Sequence, residues 1–522
     1  MLNLRAATAA HRKALWQSTR WIASPRRRGL LTLAIETSCD DTSVAIVEKN
    51  NRTGTAKIHF LWNTTADLTK FRGIHPLKAL ESHQENLAKL VDESLKFLPP
   101  PPESPSDDPD TENPAKWIYL DSGRRQKPDF ISVTRGPGMR SNLFTGMDTA
   151  KGLAVAWQIP FMAVHHMQAH LLTPRLVTAV AAHSNTDSGA ITKPLKSRKG
   201  QPITRKTKSD PESDPTPQPI KKLDPTPKFP FLSLLASGGH TMLVSSKGLT
   251  EHKILATKTD IAIGEALDKV ARMVLPEEII STSRNTMYGK LLEQYAFPNG
   301  PQDYADYVAP RTRGEEIASA KKETEYGWNL TVPYAQSRTL AYSFASLETA
   351  VTNIMAKREI EIGEISEEER VLLARETMRV CFEHLASRIV IALEAISALD
   401  SDTTSSDTTS TETTKQKDTG DIKTLVVSGG VAANKYLMTV LQSFLDVRGF
   451  GHLNVIAPPV WLCTDNAAMI GWAGIEMYER GWRGEMDAKA LKTWPLESPW
   501  TVDMSWGVNE QPYPPPKPGF RH

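Results

Sequence analysis

Leu31-Thr32-Leu33-Ala34-Ile35-Glu36-Thr37-Ser38-Cys39-Asp40-Asp41-Thr42 is an apolar, β-rich run that breaks into a short polar turn, and Val44 to Val47 resumes the apolar pattern behind it. The same arrangement returns later in the chain. Phe231 to Leu235 leads into Ala236-Ser237-Gly238-Gly239-His240-Thr241 and then Met242 to Val244. Each reads as strand, tight polar turn, strand. Two such hairpins, one from each of two domains, can face each other across a cleft and offer backbone N–H groups and hydroxyls to phosphate oxygens. Ser38, Asp40, Asp41 and Thr42 are the phosphate-turn candidates on the first hairpin. The glycines of the second permit close backbone approach.

Working outward, Thr424 to Val427 ends in a third glycine turn, Ser428-Gly429-Gly430-Val431-Ala432-Ala433-Asn434, which opens a helix. A strand-to-helix junction of that kind points unpaired N–H groups at an anion, which makes Gly429 and Gly430 further phosphate candidates, and Asn434 can read a base or ribose edge. Gly264 to Lys269 adds Asp268, a carboxylate suited to ribose hydroxyls. No Walker motif and no G-x-G-x-x-G fingerprint occurs, so the phosphate site is assembled from several hairpins rather than from one loop. Further strands are read at Phe130 to Val133 and Asn454 to Ala457. A helix is read from a capping box, Ser366 with Glu369, and the apolar stripe Val371, Ala374, Met378, Cys381, Leu385, Ile389, Ala392 and Ile396. Strands alternating with helices in both halves predict an α/β architecture.

A chain of 522 residues implies two domains plus insertions. Its 62 basic and 60 acidic residues nearly cancel, so any polyanion-binding surface has to be local. The three cysteines, Cys39, Cys381 and Cys463, are far apart, which argues against a disulfide framework or a cysteine zinc site. No apolar run reaches the roughly 20 residues of a membrane span, so no membrane insertion is expected. Residues 99–114, 183–228 and 400–421 hold too few apolar side chains to offset ordering entropy and read as disordered insertions. The middle one carries Lys193, Lys196, Arg198, Lys199, Arg205, Lys206 and Lys208, either a solvated linker or an RNA contact. Arg5, Arg12, Lys13, Arg20, Arg26, Arg27 and Arg28 precede the first acid, Glu36, interleaved with Leu4, Leu15, Trp16, Trp21 and Ile22. That is the composition of a mitochondrial transit peptide over residues 1–29, the alternatives being a basic tail or an RNA-binding arm.

A metal signal stands apart from these turns. His165-His166-Met167-Gln168-Ala169-His170 places His166 and His170 four residues apart, on one face of a helix and able to share an ion. A metalloprotease needs glutamate directly after the first histidine, and Met167 stands there. Asp465, at the start of another helix, supplies a carboxylate to complete the set.

Taken in order, Glu36 to Thr42, Thr134-Arg135-Gly136-Pro137-Gly138, the His166/His170 pair, Ser237 to Thr241, Ser428 to Asn434 and Thr464 to Met469 resemble the tRNA N6-adenosine threonylcarbamoyltransferase family, mitochondrial branch, formerly described as O-sialoglycoprotein endopeptidases. The resemblance spans roughly Leu31 to Trp482. It implies an actin/Hsp70-like (ASKHA) pair of RNase H-like domains: residues 30–172, with an insertion at 99–128, and 229–464, with an insertion at 400–421. Between them lies a disordered basic insertion, 173–228. C-terminal helices, 465–498, return to the first domain, and 499–522 form a tail. It implies that His166, His170 and Asp465 hold one divalent metal, iron or zinc, and are catalytic. Ala236, Ser237, Gly238, Gly239, Asp268, Gly289, Glu293 and Asn434 are implied to bind the substrate, an adenylate or ATP in the cleft. The implied reaction passes threonylcarbamoyl from threonylcarbamoyl-adenylate, made by a separate synthase, to N6 of the adenosine at position 37 of mitochondrial tRNA, with release of AMP. A homodimer in the mitochondrial matrix is the implied setting.

The sequence departs from the family in places. Leu275-Pro276-Glu277-Glu278 stands where a Pro-Gly-Gly-Pro turn is usual, and only Gly289 and Glu293 keep the pattern beyond it. Pro76, Ala79 and His83 match the P-x-x-A-x-x-x-H stretch, whereas His75 and Leu77 do not, and Ser343 to Thr349 varies S-F-S-G-L-K-T. Two other function classes stay open at this level. One is a non-catalytic relative that binds tRNA or a protein partner. The other is an actin-like ATPase, which would use magnesium with phosphates and need no histidine pair.

Overall fold

The computed structural model describes residues 29–71, 74–101, 113–187, 222–281, 288–319, 321–401 and 419–497. The basic N-terminal segment, the lysine-rich run, the Ser/Thr/Asp run and the tail 499–522 lie outside the described residues.

The strand that opens the sequence reading is β1 (Gly29–Glu36), and it pairs antiparallel with β2 (Asp41–Asn50). β3 (Ala56–Thr65) extends this hairpin, while β6 (Phe130–Gly136) and β7 (Phe161–His165) join parallel on the other side, giving the order β3-β2-β1-β6-β7. Strand alternation sends Leu31, Leu33 and Ile35 to one face, against α1 (Pro76–Leu95) and α2 (Arg140–Trp157), and Ala34 to the other, against α3 (His166–Asp187) and α10 (Ala467–Glu479). Each of those fully buried leucines contributes about 1.5–3 kcal/mol by leaving water.

The second half repeats the plan. β8 (Phe231–Ala236), β9 (Thr241–Ser246) and β10 (His252–Lys258) form an antiparallel meander, and β12 (Thr424–Ser428) and β13 (Asn454–Ile456) add parallel. With β11 (Ala341–Tyr342) at the edge, the order is β11-β10-β9-β8-β12-β13. Around it pack α4 (Ile263–Val274), α5 (Tyr288–Ala296), α6 (Arg313–Ser319), α7 (Ala345–Ile362), α8 (Glu367–Ser401) and α9 (Lys435–Val447). Two sheets with the same three-antiparallel, two-parallel order make this an α/β fold of the actin/Hsp70-like (ASKHA) kind, with two RNase H-like halves.

Several sequence expectations need correction. α3 does not stop at 172: Thr173, Arg175, Leu176 and Ala179 are buried, so the helix runs to Asp187. Arg175 bonds Glu476 at 2.8 Å and donates to the carbonyls of Pro225 and Pro227, which pins residues 222–228 to the first lobe. Nor is 99–128 structureless throughout. Trp117–Leu120 (β4) and Gly123–Gln126 (β5) pair as a hairpin, tied back by Gln126 N–H to the Pro99 carbonyl at 2.8 Å. The capping box is half formed. Ser366 Oγ accepts from the Glu369 amide, but the Glu369 carboxylate turns inward to Trp328 Nε1 and Arg358 Nε, both at 2.8 Å. In the C-terminal part, α10 is followed by an extended strap rather than by more helix.

That strap crosses both lobes. Gly484 donates to Phe161 O, Leu491 to Arg135 O, and Lys492 O accepts from Gly138. Trp494 O faces His165 Nε2 at 2.9 Å. Beyond it, Leu496 inserts among Met167, Leu171, Leu235 and Val244, drawn from both lobes, and the Glu497 carboxylate accepts from the Ile254 amide. Among the described residues no helix is long and apolar enough to cross a membrane.

Candidate metal centre and substrate cleft

β7 ends at His165 and α3 begins at His166, so the parallel pairing of β6 and β7 delivers the first imidazole to the carboxyl edge of the sheet. His170 follows one helical turn later on the same face. The rings stand at 89° with centroids 4.8 Å apart. Asp465 arrives from the residues before α10, held by Asn63 Nδ2 on its carbonyl, while Asn466 caps the helix through Met469 N–H. The Asp465 Oδ1 atom lies 3.0 Å from His170 Nε2 and 3.5 Å from His166 Nε2, and the three potential ligand atoms all fall within 4.8 Å of one another.

Both Nε2 atoms therefore aim at one carboxylate oxygen, the arrangement in which a cation replaces a shared proton. Two imidazole nitrogens and one carboxylate oxygen suit a divalent ion that tolerates N/O ligation and keeps open positions. His170 Nδ1 is buried with no hydrogen-bond partner among the described residues.

Behind His166 sits Glu36, fully buried at the end of β1. Its Oε2 lies 3.1 Å from His166 Nδ1 and accepts from Thr134 Oγ1, while Oε1 accepts from the Ser38 amide. This orients the ring with Nδ1 toward Glu36 and Nε2 toward the site. Burial opposes charge on His166, yet the Asp465 and Glu36 carboxylates outweigh it and raise the imidazole to about 9. Burial likewise works against ionised Asp465, but His166 and His170 hold its carboxyl below the ordinary range. The sequence reading missed Glu36 as a site residue, because its partners lie 98 and 130 residues away.

The first turn packs against the first imidazole of this cluster. Ser38 Oγ lies 3.2 Å from His166 Nδ1, and the Thr42 hydroxyl is engaged by His83 Nδ1 at 2.7 Å. Burial, helped by Asp465 and Asp40, pushes the Asp41 carboxyl up to about 7, even though the Thr65 hydroxyl bonds it. Asp40 contributes negative charge to the same wall.

Across the cleft, the second-lobe turn begins where β8 ends in buried Ala236. Ser237 Oγ accepts from the amides of Gly239 and His240, which closes the turn and uses those two donors internally. Gly238 and Gly239 remain exposed at the tip. Gly264 packs against them so closely that a Cβ there would lie 2.7 Å from Gly238 N, and Gly429, at φ +93°, sits where a Cβ would meet Ala236 O at 2.4 Å. Three segments therefore converge: the turn after β8, the start of α4 and the turn Gly429–Gly430 after β12. Ser428 Oγ reaches the His170 carbonyl at 3.3 Å, joining this cradle to the metal side. His240 also looks across, its ring centroid 6.5 Å from that of His166, and burial lowers its imidazole to about 4. The motif was legible in the sequence; the direction of that ring was not.

The remaining predicted contacts form a second group. Asp268 Oδ1 accepts from the Gly289 amide at 2.7 Å, and burial raises its carboxyl to about 6. Glu293, one turn along α5, accepts from the Lys435 amide at 2.9 Å. Asn434 is buried, and its side-chain oxygen caps α9 by accepting from Leu437 N–H.

Comparison with known proteins bears on this geometry. The family described as tRNA N6-adenosine threonylcarbamoyltransferase (TsaD) matches residues 124–184 and 219–472. A mitochondrial tRNA N6-adenosine threonylcarbamoyltransferase from Schizosaccharomyces pombe is 30% identical over 490 residues, covering 91% of this chain and 89% of that protein. A tRNA N6-adenosine threonylcarbamoyltransferase from Brucella ovis is 29% identical over 469 residues, covering 89% of this chain and 95% of the relative. Among solved structures, T. kodakarensis HypF covers 90% of this chain and 49% of its own at 13% identity, with a TM-score of 0.37. With the family match extending through both histidines and Asp465, this chain belongs to the tRNA N6-adenosine threonylcarbamoyltransferase family.

Proposed function

We propose that this chain transfers the threonylcarbamoyl group of threonylcarbamoyl-adenylate to N6 of the adenosine beside the anticodon of mitochondrial tRNA and releases AMP. The observation that carries the reading is the meeting of His166, His170 and Asp465 opposite the Ala236–His240 turn and the Gly429 turn. In the reaction, the N6 lone pair forms a C–N bond to the carbamoyl carbon, the bond from that carbon to the phosphate oxygen breaks, AMP takes the electron pair, and one N6 proton passes to solvent. The three side chains would hold iron or zinc, which supplies Lewis-acid polarisation of the carbonyl when bound.

The chain's own groups do the positioning. Glu36, fixed by Thr134 and the Ser38 amide, keeps His166 in the ligating tautomer. The exposed Gly238 and Gly430 bring backbone close to the adenylate phosphate, where N–H groups favour the departing anion. Asp268, with Gly289 and Glu293 beside it, faces the ribose. In this reading the adenylate comes from a separate synthase, the enzyme acts as a homodimer in the mitochondrial matrix, and residues 1–29 are its transit peptide. Its units are residues 30–172 and 229–464, adjusted for the continuation of α3, with 465–498 closing back on the first.

The test is to incubate purified protein with threonylcarbamoyl-adenylate and unmodified tRNA and to analyse the nucleosides. The expected product is threonylcarbamoyladenosine, absent with His166→Ala. Equal product from the wild type and that variant would overturn the metal-centred reading, and no product from either would overturn the transferase reading.

A further inference from the structure

A recess of about 320 Å3 on the second lobe is lined by Arg311, Arg313, Arg338 and Arg448 against only two carboxylates, Glu316 and Glu394, with the hydroxyls of Thr312 and Ser387 beside them. None of these residues belongs to the metal centre or the adenylate cradle. Glu316 is fully buried and already shared by Arg313 and Arg448, and Glu394 pairs with one nitrogen of Arg338 at 2.7 Å. The Arg311 guanidinium has no partner among the described residues, and Arg338 is largely exposed. Arg448 donates to Pro310 O and Glu316 through two of its nitrogens, and its third has no hydrogen-bond partner among the described residues.

Beneath the recess, Arg388 is completely buried and bonds only to carbonyls and a hydroxyl: Ser337 O, Thr339 O, Tyr334 O and Ser387 Oγ. Burial first, then the neighbouring Arg313 charge, lowers its guanidinium to about 10, and its Nε has no partner among the described residues. Among the described residues of the lining, positive charge is in excess.

The second observation is Tyr334, held at φ +53°, a conformation that bulky residues rarely adopt. Arg313 and Arg388 both grip its carbonyl, its hydroxyl lies 3.3 Å from Thr259 Oγ1, and the residue is 37% exposed. The same segment continues through β11 to Ser343 and Phe344, which bind Asp260 at 2.6 and 3.0 Å. Asp260 lies just before α4, whose Gly264 amide bonds Ser237 O in the cradle. Recess, exposed ring and cradle thus share one continuous framework.

We propose that this recess binds backbone phosphates of the RNA substrate while Tyr334 stacks on a base beside them; the proposal rests on the tRNA reading above. Guanidinium forks match phosphate oxygens, and an exposed aromatic held next to them is how single-stranded RNA is gripped without sequence readout. A small anion gains nothing from the ring, and an acidic protein segment offers it no base.

Binding of labelled, unmodified tRNA to the full-length protein is measured over a range of salt concentrations, for the wild type, for R311A/R338A, and for Tyr334→Asn, since asparagine tolerates the left-handed backbone. R311A/R338A is expected to weaken binding and to reduce the slope of log affinity against log salt by about 2. Tyr334→Asn is expected to weaken binding with the slope unchanged. Wild-type affinity and slope in R311A/R338A overturn the proposal. So does a site that binds inorganic phosphate or polyglutamate in the wild type and loses it in R311A/R338A while tRNA binding stays constant, because the occupant is then a free anion or an acidic protein. Nucleoside analysis of the wild type runs separately: absence of product there removes the transferase reading, whereas product with an unaltered salt slope removes only the phosphate recess.

Discussion

Glu36 shows how much of a metal centre can depend on a side chain that never reaches the ion. It is buried, charged and bonded to three groups, and the third is the imidazole whose opposite nitrogen faces Asp465. Changing Glu36→Gln keeps the shape but removes the charge that polarises His166. Metal affinity in a chelator competition should fall by roughly 10- to 100-fold with the fold intact, and unchanged affinity would show that His166 is oriented by packing alone. At this scale the sequence displayed the candidate ligands, which the fold brings together, better than their support. His166 and His170 are readable because four-residue spacing has one meaning on a helix, whereas Glu36 and His240 look like ordinary turn residues until the chain is folded. Asn434, read from the sequence as a base or ribose contact, also caps its own helix, a role the sequence did not display.

Among the elements, α8 carries a titratable group that the reaction does not use. His384 is buried against Tyr342 and Phe344, accepts from the Ser343 amide, and has no partner for Nδ1 among the described residues. Burial, followed by the charges of Arg388 and Arg313, lowers it to about 3. An unfolded chain protonates this histidine near its ordinary value of about 6.5, whereas the folded one does not. Its contribution to stability is therefore fully present above about pH 6.5 and lost as the solution is acidified toward 3. Relative to His384→Gln, the wild type should lose about 2 kcal/mol more stability between pH 7.5 and 5 in urea unfolding. Parallel losses in both proteins would contradict this. Helix and strand identities were legible where periodicity was long, as in the stripe on α8 and the alternation of β1. Ends and short elements were not: α3 continues because distant partners, Glu476 and the 225–227 carbonyls, hold Arg175. The hairpin β4–β5 likewise sits directly after a proline-rich stretch that masks it.

For the whole molecule, the repeated sheet order was foreshadowed by two matching strand-turn-strand openings, but the way the lobes are tied together was not. The strap has neither the alternation of a strand nor the period of a helix, and its meaning lies in contacts hundreds of residues back, such as Trp494 with His165. Stopping the chain after Arg483 removes the bonds to Arg135, Gly138 and His165 and the apolar plug at Leu496. The truncated protein should bind metal at least about tenfold more weakly, as expected when the groups supporting a ligand are lost, and should unfold at lower temperature. Full metal stoichiometry and an unchanged midpoint would show the strap to be dispensable. The order of synthesis gives this feature a further meaning. A ribosome delivers His170 295 residues ahead of Asp465, and Trp494 and Leu496 come later still. The candidate metal centre is therefore among the last parts of the protein to be completed, and a chain that stops short of Asp465 carries both histidines without their carboxylate.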